Sequence, residues 1–549
     1  MKTNSRYNMM LLNFRSIFFF SSLIITLLIT IPQQQDSFMS FAQESFDDSS
    51  TSSSMSTMTM SETSSESVTS NFDAILKAGL IISQVAILGL IFNHFILKRT
   101  LYLQNKNIQQ EDGISIFVSG IKISKRFIIL VLVCCIFIIA FSTGAMLLQS
   151  YELAQNLDLD ILSAFSILYS TSVGQVWLLR ILSSSVILGV IIFYYFILRN
   201  RKKKLKSYNK KFDGLNSNGY TKIDRILLIS VLILGSINLF SNSMVSHSNS
   251  LPSFSNIDVS MDWIHFMAVS IWIGGLFYIS TIFLRQSLGL NDKSDYKTNS
   301  EKSSNVSENA ILVHSTRALM YFSYIAITAI TVIGITGLYL GYTHIQSLTS
   351  VVFTVYGQIL IVKIALAFPM IFIGRYNQIH IYNYAKQAVL ANHSGVTRAM
   401  AEPTDSKLIN KNVNNIINKN KNDESFFFKR INKSLKIESI LGIFVLVAAS
   451  FLSVTSPPAL EAMDQDMQGM GGMDGMNSSS VGNGNVVDTH NVFSSNILFL
   501  YLVIGISIII LIIGIVSFKK NHKQIKELNI LSTNSNAGTM QSKKRQSKE

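Results

Sequence analysis

Cysteine is almost absent from this chain of 549 residues, which holds two. They are neighbours, Cys134 and Cys135, inside the apolar run FIILVLVCCIFIIAF. Adjacent cysteines cannot staple a fold, so a disulfide framework is excluded, and both are read as small residues facing a neighbouring helix or lipid. Charge is scarce as well, at 14% of residues. Catalytic signatures are missing. There is no G-x-x-x-x-G-K-[ST] loop, so an ATP-driven pump has no nucleotide domain here. There is no metalloprotease H-E-x-x-H and no G-x-S-x-G elbow, and the chain is read as a non-enzyme. No repeat of 20–50 residues is visible.

What is present is apolar. Hydrophobic residues make up 48% of the chain, gathered in long runs, as in a polytopic membrane protein. Lys2, Arg6 and Arg15 precede the run SIFFFSSLIITLLITI, and Ser40-Phe41-Ala42 offers a small-x-small site, so residues 1–42 read as a signal peptide or an uncleaved signal anchor. A Ser/Thr/Met-rich segment, 43–72, follows. The expected fold is all-α, with about nine transmembrane helices at 73–97, 126–149, 175–198, 224–243, 260–284, 315–341, 355–376, 437–456 and 494–517. The short apolar stretch 159–174 is expected as a surface helix on the outer side. The Asn/Lys-rich linker 377–434 is expected to be disordered.

Basic residues set the orientation. The loops at 43–72, 150–160, 244–259, 342–354 and 457–493 contain no Lys or Arg, whereas all the opposite loops and the tail 518–549 carry them. This positive-inside pattern puts the first group outside, with the N-terminus out and the C-terminus in the cytoplasm of a multi-pass plasma-membrane protein. The net charge of +14 is then mostly topology and lipid-headgroup charge, and no nucleic-acid partner is expected.

That orientation exposes MDQDMQGMGGMDGM, residues 463–476, to the outside. Met normally fills apolar cores, but this segment has no other large apolar residue and is broken by Gly. Thioethers are soft ligands that select Cu(I) and need no deprotonation. Met463, Met467, Met470, Met473 and Met476 are therefore candidate copper ligands, with Asp464, Asp466 and Asp474 concentrating cations. Met55, Met58 and Met60 form a smaller cluster on the same side. The alternative is a low-complexity spacer with incidental Met.

Polar residues inside apolar spans also need reasons. Met261, Asp262 and His265 sit at helical spacing near the outer end of the fifth span. Met244 and His247 lie just before it, and His344 ends the sixth span. These are candidate metal ligands, His265 foremost, with Asp262 in support. Arg180, Lys363 and Glu438 are the other intramembrane charges, each read as a structural partner for an opposite charge or a backbone carbonyl. His94, His314, His380 and His522 look incidental.

These segments carry a resemblance. DWIHFMAVSIWIGGL is similar to the D-x-x-H-x-x-A-x-x-x-W-x-G-G-L signature of the copper resistance protein D family. STSVGQVWLLR resembles its T-x-x-G-x-x-W-x-x-R segment, FSYIAITAITVIGITGLYLG its F-S…T-G-L span and YGQILIVKIALAFPMIFIGRYNQ its Y-G-x-x-L-x-x-K…N span. LKIESILGIFVLVAASFLSVTSPPA resembles its closing R/K-x-E…P-P-A segment. The likeness covers roughly residues 73–460, and over 73–456 it implies an eight-span membrane domain that handles copper delivered from outside, with His265, His247, Arg180, Lys363 and Asp262 at family positions. The chain departs from the pattern at Ser246-His247-Ser248, where G-H-A is expected, and it lacks the copper-binding β-sandwich that often accompanies the family. It adds the Met-rich loop 457–493 and a ninth span. The leading expectation is a copper transport and homeostasis protein that captures Cu(I) outside and moves it inward, in contact with copper ions, the bilayer and an extracytoplasmic copper chaperone. Two alternatives remain open: a b-type haem redox protein, which needs two His at matching depth, and a copper sensor or assembly factor without transport.

Overall fold

The computed structural model describes residues 65–112, 125–208, 222–246, 255–284, 304–345, 348–401, 406–458 and 500–527. The chain divides at Val68, and the spans belong to the unit Thr69–Glu549. The signal segment, both Met clusters and His247 lie outside the described residues.

The protein is all-α, and nine of its described helices are long and apolar enough to cross a membrane. In chain order the elements are α1 Ser65–Asp112, α2 Lys125–Asn156, α3 Ile161–Ser170, α4 Ser172–Tyr208, α5 Lys222–Met244, α6 Ser255–Tyr278, α7 Ser304–His344, α8 Leu348–Phe353, α9 Val355–Ala401 and α10 Ser406–Leu452. A last helix, α11, spans Leu500–Glu527. The apolar stretches run from 22 to 31 residues. At about 1.5 Å per residue each exceeds the ~30 Å hydrocarbon layer. The short apolar stretch expected on the surface contains α3, whose Leu162 is largely exposed.

Contacts show the alternation of direction. Arg180 near the start of α4 meets Ser241 near the end of α5, and His265 near the start of α6 meets Thr336 near the end of α7. Central to the bundle is α6, packed against α5, α7 and α10, with a close local approach by α1. Gly89 and Gly274 make that last approach possible. A Cβ on Gly89 would lie 2.3 Å from the Ser270 carbonyl and 2.4 Å from the Gly274 Cα, so any side chain forces the helices apart. A π-helical turn, Ile279–Phe283, closes α6. By contrast α11 buries few residues, resting on α7 through Gly514 against Thr331 and Phe518 against Tyr324. Glu527 ties its end to α9, accepting from Tyr382 at 2.9 Å and from Lys386 at 3.1 Å, a bond that raises the Lys386 pKa.

Two expectations change. The linker expected to be disordered is helical through 377–401 and 406–434, because α9 and α10 continue beyond their apolar parts. His94 is not incidental: it is buried, its Nδ1 lies 2.9 Å from the Tyr278 hydroxyl, and its ring stacks on Phe127. Cys134 and Cys135 are buried against neighbouring helices, as one of the two expected settings.

Candidate functional site

Asp258, Asp262 and His265 recur on α6 at spacings of four and three, which stacks them along one face over about 10 Å. This face looks toward the end of α5, the last turns of α7 and the first turns of α9, all at the predicted outer end. The strip stops at His265, since the positions that continue the face are Val269, Trp272 and Leu276.

Each level of the strip meets partners from other helices. At the first, the Asp258 carboxylate faces the Tyr339 hydroxyl and lies within electrostatic reach of His344. The Asp258 Oδ1 is buried without a hydrogen-bond partner. His344 donates from Nδ1 to the Leu340 carbonyl at 2.7 Å, and its ring lies parallel to Tyr356 with 6.3 Å between centroids. At the second level, Asp262 faces the hydroxyls of Ser243 at the end of α5 and Ser246 just beyond it, with Lys363 of α9 within electrostatic reach. Its Oδ2 also lacks a hydrogen-bond partner.

The third level is His265, 8% exposed. Its Nδ1 lies 3.0 Å from the Thr336 Oγ1. That hydroxyl already donates its proton to the Val332 carbonyl at 2.7 Å, so it receives the Nδ1–H of the imidazole. The Ile333 carbonyl, 3.4 Å from the same hydroxyl, reinforces the arrangement. The tautomer is thereby set, and Nε2 carries the lone pair. Gly337 makes room, because a Cβ there would lie 3.3 Å from the His265 Cε1. An imidazole whose second nitrogen is anchored by an acceptor is the usual state of a metal-ligating histidine.

The sequence-expected residues thus divide. His265, Asp262 and Lys363 come together. His344 lies at the head of the same strip. Met261 lies on α6 one residue before Asp262, and Met244 ends α5. His247, Met463, Met467, Met470, Met473, Met476, Met55, Met58 and Met60 fall outside the described residues. Arg180 and Glu438 are elsewhere, and neither pairs with Asp262. Arg180 is anchored by neutral groups, its Nε donating to the Ser241 Oγ at 2.8 Å and Nη2 to the Ser241 carbonyl at 2.9 Å, with its guanidinium 4.3 Å from the Trp177 ring centre. Glu438 meets the Asn377 amide at 3.4 Å. Asp258, Tyr339 and Tyr356 were not expected. Asp258 was legible, since it precedes Asp262 by one helical turn in NIDVSMDWIHF; the tyrosines carry no such spacing signal.

Among the described residues no group of three or more His, Cys, Asp or Glu side chains is placed to hold a metal ion. A soft cation at His265 would take its remaining ligands from thioethers or from residues outside this set. No protein-family model, curated protein or solved structure matches the chain. Fold and site therefore define the class: an all-α multi-pass membrane protein with a polar strip reaching from one end of the bundle to a buried histidine.

Proposed function

We propose that the chain is a membrane copper transport and homeostasis protein of the copper resistance protein D type, in the plasma membrane, that captures Cu(I) at Met and His side chains on its outer face and passes it inward. The Met-rich loop 463–476 and the cluster at 55–60 act as collectors. The strip Asp258–Asp262–His265 leads the ion from the outer end into the bundle. His265 is the observation that carries this reading. Its Nδ1–H is committed to Thr336, which leaves Nε2 as a ligand at the foot of an acidic strip. Buried acidic oxygens above it lack hydrogen-bond partners and favour a passing cation.

The haem reading is the weaker one. Its described pair of histidines is His265 and His344. His265 lies level with Thr336, eight residues of α7 from His344, a rise of about 12 Å. Axial imidazoles face one another across a single iron, at one depth.

Detergent-purified protein, assayed by metal analysis and visible spectrum, tests the reading. Copper is expected to co-purify and haem is not. A stoichiometric haem spectrum without copper overturns it.

A further inference from the structure

A second buried ionisable group lies toward the predicted inner end of α9 and α10. Glu438, on α10, is 2% exposed. It sits about 14 Å from the Lys429 end of its apolar stretch. Its carboxylate meets two groups of α9. One is the Asn377 Nδ2, at a long 3.4 Å from Oε2. The other is Gly374, where a Cβ would come within 3.1 Å of Oε1. From α6, Ser280 of the π-helical turn meets the adjacent Ser439 at 3.3 Å, and Ser439 donates to the Leu435 carbonyl of its own helix.

Among the described residues no cation pairs with this carboxylate. Arg375, the nearest basic residue of α9 in sequence, donates to Gln378 at 2.7 Å, and Arg430 of α10 donates to the Tyr376 hydroxyl at 2.9 Å. Lys363 precedes Gly374 by 11 residues, about 16 Å along α9, and lies with Asp262. An ionised carboxylate held in an apolar bundle by one long amide contact is strongly disfavoured. The amide shows the same mismatch from its own side, because the Asn377 Oδ1 is buried without a partner.

One proton removes the buried charge, although one end of the Asn377 amide still has no partner. Turning the Asn377 amide over exchanges two nearly isosteric groups and presents Oδ1 to Glu438. A protonated Glu438 then donates its O–H to that oxygen. A metal ion does not fit as well, since hard cations want about six oxygen ligands and these two residues supply three. The oxygens are also the wrong donors for Cu(I).

We propose that Glu438, with Asn377, is a proton-binding site in the inner half of the bundle, and that it exchanges its proton for a passing cation. The exchange follows from competition. A cation in the inner half is stabilised by the ionised carboxylate, so its arrival and the proton's presence exclude one another. One Cu(I) inward for one proton outward leaves the charge balance unchanged. The proton site stands on the geometry alone, whereas the exchange rests on the transport reading above.

Two measurements separate them. The first is infrared spectroscopy of the protein in lipid vesicles at neutral pH without copper. The difference between wild type and Glu438→Gln is expected to show a neutral carboxyl stretch, shifted in D2O. Asn377→Ala is expected to move that band without removing it, which serves equally if the Gln variant fails to accumulate. Ionised carboxylate bands in their place overturn the proton site. The second is copper uptake into vesicles with an acidic or a neutral interior. Wild-type uptake is expected to rise several-fold with the acidic interior, and Glu438→Gln to take up copper without that response. Equal uptake by wild type under both conditions overturns the exchange. Absence of any uptake defeats the transport reading and leaves the infrared result to decide the proton site.

Discussion

Around Arg180, polar groups of α1, α4 and α5 bond to one another until the network closes, whereas along α6 the polar groups are left with open valences. In the first region Gln84 donates to the Asn238 Oδ1 at 2.7 Å and accepts from Asn242 at 2.6 Å. The Asn238 amide donates to Ser183 at 2.7 Å, Ser184 at 3.0 Å and the Arg180 carbonyl at 3.1 Å. Ser241 accepts from Arg180 and donates to the Asn238 carbonyl. Trp177 lies under the guanidinium and donates to Gln149. In the second region Asp258 and Asp262 each keep a buried oxygen without a partner, and His265 is anchored through Nδ1 to Thr336. Satisfied networks rigidify a bundle, while unsatisfied buried acceptors are costly and need an occupant. On the proposed transport reading the first region is structural and the second meets the ion.

Mutations sharpen this division. The largest stability effect is expected from Asn238→Leu, which removes a side-chain partner from Gln84, Ser183 and Ser184 at once, at about 1–3 kcal/mol for each group left unsatisfied. Thermal unfolding in detergent should shift down strongly, and copper accumulation per folded molecule should stay at the wild-type level. Loss of accumulation at unchanged stability would place the Arg180 network on the ion path. Thr336→Val should act in the opposite sense. It keeps the volume and removes the acceptor of the His265 Nδ1–H, so the affinity for copper should fall by about 10–100-fold, read by titration of the purified protein, with little change in unfolding temperature. The smallest effect belongs to the loop. Replacing Met463, Met467, Met470, Met473 and Met476 by Ser should weaken accumulation at low copper and spare it at saturating copper, because excess ion restores the local concentration that a collector supplies. A deficit that persists at saturation would make the loop part of the path.

The spans were legible because about 20 consecutive apolar residues leave few alternatives in a bilayer. Their ends were not. The apolar count ends the seventh span at 376, whereas the helix runs on to Ala401, since hydropathy reports the lipid boundary and not where hydrogen bonding stops. His265 and Asp262 stood out through charge inside an apolar run, and Asp258 was one turn away on the same face. The surroundings of Arg180 were hidden for a physical reason. Its partners are a serine and a tryptophan ring, neutral groups common in any membrane helix, so a search for carboxylate partners points wrongly to Asp262 and Glu438. The pairing of His94 with Tyr278 joins α1 to α6 across 184 positions, a separation that no local pattern reports.

The central claim is that the strip on α6 is a path and not a strut. Copper accumulation against external copper, normalised to folded protein in the membrane, tests it in His265→Ala beside wild type. If the imidazole is a ligand every ion must meet, accumulation falls at all concentrations, saturating ones included, while the unfolding temperature stays close to that of wild type. Asp262→Asn is expected to give a milder loss of the same shape. An accumulation curve for His265→Ala that superimposes on wild type throughout would contradict the account and return His265 to the structural residues.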